Sequence, residues 1–217
     1  MESLVVREFG VEKSKIKMFS MGVSDVFLVD EKSEKKSGSN EVVFFHNRRF
    51  HPHYNVELVL ESFSKIKKRF PNVVMKLASG DADNEYMESI KHKYKGCPGV
   101  VFLDKKSLKE MAFELKASDF TISIPKSDQL SASILESMAC GAIPILAPLK
   151  AYLGLEKKTK CFFLKSLSVE SLEAAMVWAV ELGGCKKKEM SEVNKEYIVG
   201  NEAVSYTHLR AHETLTD

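Results

Sequence analysis

Apolar and polar positions along this chain change period repeatedly, and each change predicts a new element. Val42-Val43-Phe44-Phe45 is a continuous apolar run of buried-strand type, and Val56, Val59, Leu60, Phe63 and Ile66 follow it at helical spacing. Residues 73–77 predict a second strand running toward Gly80, and 81–94 a polar helix with Met87, Ile90 and Tyr94 inward. A third strand is expected at 100–103, a helix at 108–117 and a fourth strand at 120–124, stopped by Pro125. Residues 131–140 read as helix, and 142–146 and 161–164 as a fifth and sixth strand. Val169, Leu172, Ala175, Met176 and Ala179 then form the face of a long helix. Upstream, Leu4, Val5, Phe9 and Val11 have helical character, residues 15–21 offer a short strand before Gly22-Val23, and the Ser-, Lys- and Glu-rich stretch 30–40 reads as a linker.

Strands rich in β-branched and aromatic residues, each followed by an amphipathic helix, imply right-handed βαβ units. The expected fold class is α/β, a Rossmann-like doubly wound parallel sheet over about 41–182, with ligands beyond the carboxyl ends of the strands. Composition keeps this picture and narrows it. The chain has 217 residues, 44% hydrophobic and 29% charged, with 32 Lys+Arg against 30 Asp+Glu, which argues against disorder and against general nucleic-acid binding. The apolar run 138–149 carries Pro144 and Pro148 and is too short to span a bilayer, and the start MESLVVREFG lacks the pattern of a secretory signal, so a cytoplasmic setting is expected. Cys97, Cys140, Cys161 and Cys185 are scattered without a CxxC pair, which favours reduced thiols over disulfides or zinc.

Two stretches carry candidate chemistry. The first, 127–144, reads SDQLSASILESMACGAIP and sets Asp128 and Glu136 seven residues apart, one in the loop after the fourth strand and one inside the next helix. The second, His46 to Asn55, reads HNRRFHPHYN directly after the first strand. His46, His51 and His53 lack an accompanying carboxylate motif and read as polar loop residues, so no metal is expected. Lys65 to Arg69 and Lys186 to Lys188 lack interleaved aromatics and read as solvated faces.

The first stretch resembles the donor-binding half of the GT-B glycosyltransferases, specifically the retaining family 4 group, marked by an acidic-x7-Glu pair and A/S-M-A-C-G-x-P; SILESMACGAIP is its most specific piece. The resemblance runs from about Val5 to Glu202. It implies transfer of a sugar from a nucleotide-diphosphate sugar to an acceptor hydroxyl with retention, a hexosyltransferase-type activity without metal or other cofactor, the nucleotide sugar being a substrate. Arg48, Arg49 and Asp128 are then the candidate catalytic residues, and Ser131, Ser133, Glu136, Leu103 and Asp104 the candidate donor-binding residues. The family commonly has Gly-Arg after the first strand and Lys-Gly before the next helix. Setting Asn55 on that Gly places Arg49 at the arginine and Tyr54 at the lysine, whereas the variant R-x-Leu-x-Pro-x-Tyr-Asn places Arg48 there, so both arginines are candidates. Asp128 stands where the family usually has Glu, one methylene longer. Gly80 matches a family Gly, and Leu103 and Asp104 end a strand where backbone groups meet the nucleotide base.

Residue chemistry supports the same assignment. A carboxylate such as Glu136 can accept from both ribose hydroxyls, and a helix start near Ser131 and Ser133 favours a diphosphate through free N–H groups and the helix dipole. Each has a plainer alternative: helix capping for Ser131, a surface carboxylate for Glu136, a loop-solvating residue for Asp128, solvated loop residues for the arginines. Two other functions stay open, a non-catalytic sugar-nucleotide-binding domain and another GT-B enzyme such as a sugar-nucleotide 2-epimerase. The expected organisation is 1–40 an interdomain crossover and linker remnant, 41–185 the nucleotide-sugar-binding domain, 186–202 a truncated return helix, and 203–217 a non-native tail, because VSYTHLRAHET resembles a translated sequencing adapter. The gene is expected to be cut at both ends, to meet a glycan or lipid-linked acceptor through a missing N-terminal domain, and in full length to associate peripherally with the inner membrane surface. The fragment alone is expected to bind donor and not to turn it over.

Overall fold

In a computed structural model describing residues 2–15, 22–29, 40–78 and 83–201, the apolar run after Glu41 becomes β1 (Val42–His46). Phe44 and Phe45 on its two faces are both fully buried, as a strand covered on both sides requires. Helix α1 (Glu2–Phe9) and the short α2 (Asp25–Leu28) precede it. After β1 come α3 (Val56–Arg69), β2 (Val73–Ala78), α4 (Asn84–Lys93), β3 (Val100–Leu103), α5 (Leu108–Lys116) and β4 (Phe120–Ser123). Then follow α6 (Ala132–Ala139), β5 (Ile143–Leu146), α7 (Leu153–Glu156), β6 (Phe162–Phe163), α8 (Val169–Glu181) and α9 (Gly184–Asn201). Of the strand expected at 15–21, Lys15 closes a 3-10 turn, Lys13–Lys15, and the rest, with most of the linker 30–40, Gly80 and the tail 203–217, lies outside the described residues.

All six strands run parallel in the order β3-β2-β1-β4-β5-β6, so the expected doubly wound α/β class is the observed one. Helix α3 packs against α8, while α6 packs against α5 and α9. The sheet centre is aromatic: Phe44 stacks on Phe120 with centroids 5.6 Å apart, and Trp178 of α8 lies edge-on to Phe120 at 6.0 Å. Pro144 is tolerated inside β5 because Ile143 donates toward Asp119 on the β4 side, which turns residue 144 toward β6, and β6 pairs only from Ile145 onward.

Chain order reverses between β1 and β4, neighbours in the sheet whose following helices leave toward opposite faces. Such a reversal opens a crevice at the carboxyl edge. Three ties lock the loop after β1 to the loop after β4 across it: Asn55 Nδ2 donates to the Ile124 carbonyl at 2.8 Å, Lys126 N–H to the His53 carbonyl at 2.9 Å, and the His53 ring meets the Ser127 carbonyl at 2.6 Å.

Two parts of the body were not legible beforehand. Within the stretch expected to be crossover, Val23 and Phe27 are 1% exposed in the core, and α2 packs on α5 and α6. The turn Lys150–Tyr152 ahead of α7 buries Tyr152 completely. Helix α9 lies on α6 and β5, burying Met190, Asn194 and Ile198, and Asn194 accepts from Lys160 N–H at 2.7 Å.

Candidate functional site

Arg48 leaves the end of β1 and turns inward, retaining 8% exposure. Its Nη1 donates to Ser131 Oγ at 2.5 Å and to Ser133 Oγ at 2.7 Å, and its Nη2 donates to Asp128 Oδ2 at 2.7 Å. The guanidinium lies over the Tyr54 ring, 4.6 Å from its centroid, so an aromatic face holds the cation where the compared motif carries lysine. Arg49, the next residue, points outward and is exposed. Of the two candidate arginines, Arg48 is the one gathered with Asp128, Ser131 and Ser133.

The local backbone explains this register. Pro52 opens a single 3-10 turn, Pro52–Tyr54, which ends at Asn55 with φ 54° and ψ 39°. That left-handed position suits Gly, and Asn is among the few other residues that adopt it readily. Asn55 therefore does occupy a glycine-type position, Tyr54 precedes it, and α3 begins at Val56.

Ser131 takes the N-cap position of α6 in extended conformation, yet its side chain makes no capping hydrogen bond. Its oxygen is engaged by Arg48 instead, and it lies 3.0 Å from Ser133 Oγ. One hydroxyl proton is consumed between the two serines and the other is left to donate outward. Among the described residues, three of the guanidinium's five N–H groups are engaged, which leaves two. Asp128 offsets the guanidinium charge, so the crevice offers an anion hydrogen-bond donors and the positive end of the α6 dipole at its uncapped first turn.

Asp128 is held on both oxygens. Oδ1 accepts from Gln129 N–H at 2.9 Å, and Oδ2 accepts from Arg48 and, at 3.4 Å, from the Tyr152 hydroxyl. Burial and the Asp128 carboxylate push the Tyr152 phenol well above its ordinary range, so it stays a proton donor. The Ser123 hydroxyl lies near this phenol without ordinary hydrogen-bond geometry. Tyr152 was missed in the sequence because nothing in LKAYLG distinguishes a site tyrosine from a core one.

Glu136 sits one turn along α6 from Ser133, about 4.5 Å down the axis on the same face. It is half-buried and makes no hydrogen bond or ion pair among the described residues, and burial raises its carboxyl above the usual range. An unpartnered carboxylate beside a donor-rich crevice is complementary to a polyhydroxylated ligand. Leu103 and Asp104 do not join the Arg48 cluster. They end β3, two strands from β1 and so roughly 10 Å away, with Leu103 half-buried and Asp104 exposed.

The three loop histidines do not converge. His51 Nδ1 accepts from His53 N–H at 3.1 Å, while His46 is fully buried beneath the loop and neither ring nitrogen makes a hydrogen bond among the described residues. Burial drives the His46 pKa down to about 4, with the Arg48 charge acting the same way and the Tyr54 backbone, near the ring but without ordinary hydrogen-bond geometry, opposing it. Among the described residues no group of three His, Cys, Asp or Glu side chains is placed to hold a metal.

Comparison with known proteins adds the following. The family model described as "Glycosyl transferases group 1" matches residues 29–197. HepE of Anabaena, solved in complex with UDP and glucose, superposes with TM-score 0.78 at 15% identity, over 100% of this chain and 60% of that one. A glycosyltransferase from Rickettsia africae gives TM-score 0.80 at 17% identity, over 100% and 62%. Sucrose-phosphate synthase from Thermosynechococcus elongatus gives 0.78 at 13%, over 99% and 56%. The chain thus spans about 60% of the length of these solved relatives, and at such identities the likeness concerns the fold. No curated protein matches it by sequence.

Proposed function

Because the chain belongs to the glycosyl transferases group 1 family, we propose that it is the donor-binding half of a retaining glycosyltransferase that moves a hexose from a nucleotide-diphosphate sugar to an acceptor hydroxyl. The observation that carries this reading is the Arg48 fork, held by Asp128, Ser131 and Ser133 at the start of α6. Two free N–H groups, an outward hydroxyl and the α6 N-terminus form a cradle for a pyrophosphate, and Glu136 below it accepts from the ribose hydroxyls. The UDP and UDP-glucose held by HepE support a uridine-type donor.

When the bond from the anomeric carbon to the leaving phosphate oxygen breaks, negative charge grows on that oxygen. Preorganised donors lower the barrier by meeting the charge as it forms. Loss of one such donor costs roughly 3–4 kcal/mol, or 10²–10³ in rate. No metal or other cofactor enters this scheme, and the acceptor, a glycan or lipid-linked sugar, meets the donor through a further domain of the longer protein. Arg49 and Asp104, both exposed, take lesser parts in this reading.

Calorimetric titration with UDP and UDP-glucose tests the proposal. Arg48→Ala is expected to abolish binding and Arg49→Ala to retain it; equal affinity of both variants and the parent refutes it. One observation favours a second reading, a sugar-nucleotide-binding domain without turnover: both Asp128 oxygens are already engaged within the protein. Sugar-nucleotide hydrolysis or transfer by the longer protein separates the two.

A further inference from the structure

A second polar cavity, of about 250 Å³, opens on the amino edge of the sheet, where Asp119 precedes β4 and Gly141 precedes β5. The four residues of β4 alone put it about 13 Å from the carboxyl-edge crevice. Its walls carry Lys116, Lys187, Lys188 and Lys195.

Charge decides what it can hold. Four lysines face one carboxylate, Asp119, and the carboxyl ends of α5 and α6, each equivalent to about half a negative charge. The surplus over the groups that line the cavity is about two positive charges, and about one when Glu192, outside the lining but beside Lys188, is counted. Existing contacts use only part of it. Lys116 donates to the Val29 carbonyl at 2.6 Å, and Lys187 stands 3.7 Å from Asp119. Lys188 reaches Glu192 only at 3.8 Å from a side chain 79% exposed, a pairing of little strength. Among the described residues, Lys195 makes no hydrogen bond or ion pair, and the Ser191 hydroxyl beside it has no partner.

Two independent features point the same way. Gly141 has φ +86°, and a Cβ there would come within 2.8 Å of both Lys195 Cε and Ser191 Oγ, so the bare backbone makes the room these two groups occupy. Lys186 and Lys187 lie in the first turn of α9, a turn without an acidic residue, and Lys188 follows at once. Cations there oppose the helix dipole, a local conflict that a purely structural helix would avoid.

We propose that this cavity binds a compact dianion of the phosphate-monoester class, gripped by Lys195, Ser191 and the α9 lysines. The volume lies below the 300–1,000 Å³ typical of small-molecule sites, so it admits a phosphoryl head group and not a second nucleotide. Free phosphate and the phosphomonoester head of a lipid share this chemistry.

The test has two arms with the intact chain: calorimetric titration with inorganic phosphate, and co-sedimentation with phosphatidylcholine vesicles with and without phosphatidic acid. Amide shifts in nitrogen-15 NMR locate the phosphate. Binding in the first arm, with shifts at Gly141 and Ser191, identifies a soluble phosphate; binding in the second arm alone identifies the lipid head group. In either case Lys195→Met, which orphans no carboxylate, is expected to lower affinity by about tenfold or more, and Lys195→Arg to restore it. Absence of binding in both arms, an unchanged affinity in Lys195→Met, or shifts confined to Ser131 and Ser133 overturns the proposal.

Discussion

Pairing between Arg48 and Asp128 is testable as a coupling energy in the absence of any ligand. The two side chains are 8% and 21% exposed, so solvent screens them far less than a surface pair. Arg48→Ala removes three hydrogen bonds at once and leaves Asp128, among the described residues, with Gln129 N–H and a long contact to Tyr152. Deleting one partner of a buried pair costs roughly 3–5 kcal/mol; the partial exposure of Asp128 sets the expectation near the lower bound, about 3 kcal/mol. Asp128→Ala leaves the guanidinium with both serines and the Tyr54 face, so about 2 kcal/mol is expected. The double variant removes both charges and orphans neither, which should recover about 1.5–3 kcal/mol relative to the sum. Urea unfolding of the four proteins measures this, and Arg48→Ala alone should lower the Tm by roughly 6–12 °C for a domain of this size. Additivity within about 0.5 kcal/mol refutes the claim that these two residues form one unit.

Three further outcomes follow from single residues. His46 is buried neutral with a pKa of about 4, so the unfolded chain takes up its proton first as pH falls below about 6.5; stability should drop by about 3 kcal/mol between there and pH 4. His46→Leu should remove that component, and identical pH profiles for parent and variant would contradict it. Asn55→Ala combines left-handed strain with loss of the bond to Ile124 and should cost about 2–3 kcal/mol, against about 1 kcal/mol for Asn55→Gly; thermal unfolding that ranks them in reverse is the adverse result. Glu136→Gln should hold or raise the Tm, since it neutralises a half-buried, unpartnered carboxyl, while weakening UDP binding about tenfold or more by calorimetry; unchanged affinity removes Glu136 from the ribose.

Residue type and spacing made the α/β class legible because buried parallel strands must be apolar on both faces. The runs at Val42, Val73 and Phe120 hence stood out against the helical repeats between them, and the run at Val100 did so although β3 is an edge strand with Val101 exposed. Val23 and Phe27 escaped because the apolar run here, Val26 to Val29, is only four residues long and abuts a charged stretch, too short to show a helical period. Tyr152 escaped because its role depends on where β5 delivers it, opposite a loop 24 residues earlier.

The sequence by itself determined the alternation of strand and helix from Val42 onward, the approximate bounds of the six strands and of the helices other than α2 and α7, and the chemical types at the crevice: arginine, carboxylate and serine after the first and fourth strands. Only the tertiary structure decided which of two adjacent arginines turns inward, that Asp128 is spent on Arg48 and Tyr152, and that Ser131 gives its hydroxyl to a guanidinium in place of its own helix. Periodicity is a local property that propagates a few residues along the chain. Pairing across the crevice depends on a left-handed Asn55 and on strands β1 and β4 lying side by side, which is settled only when the whole sheet assembles.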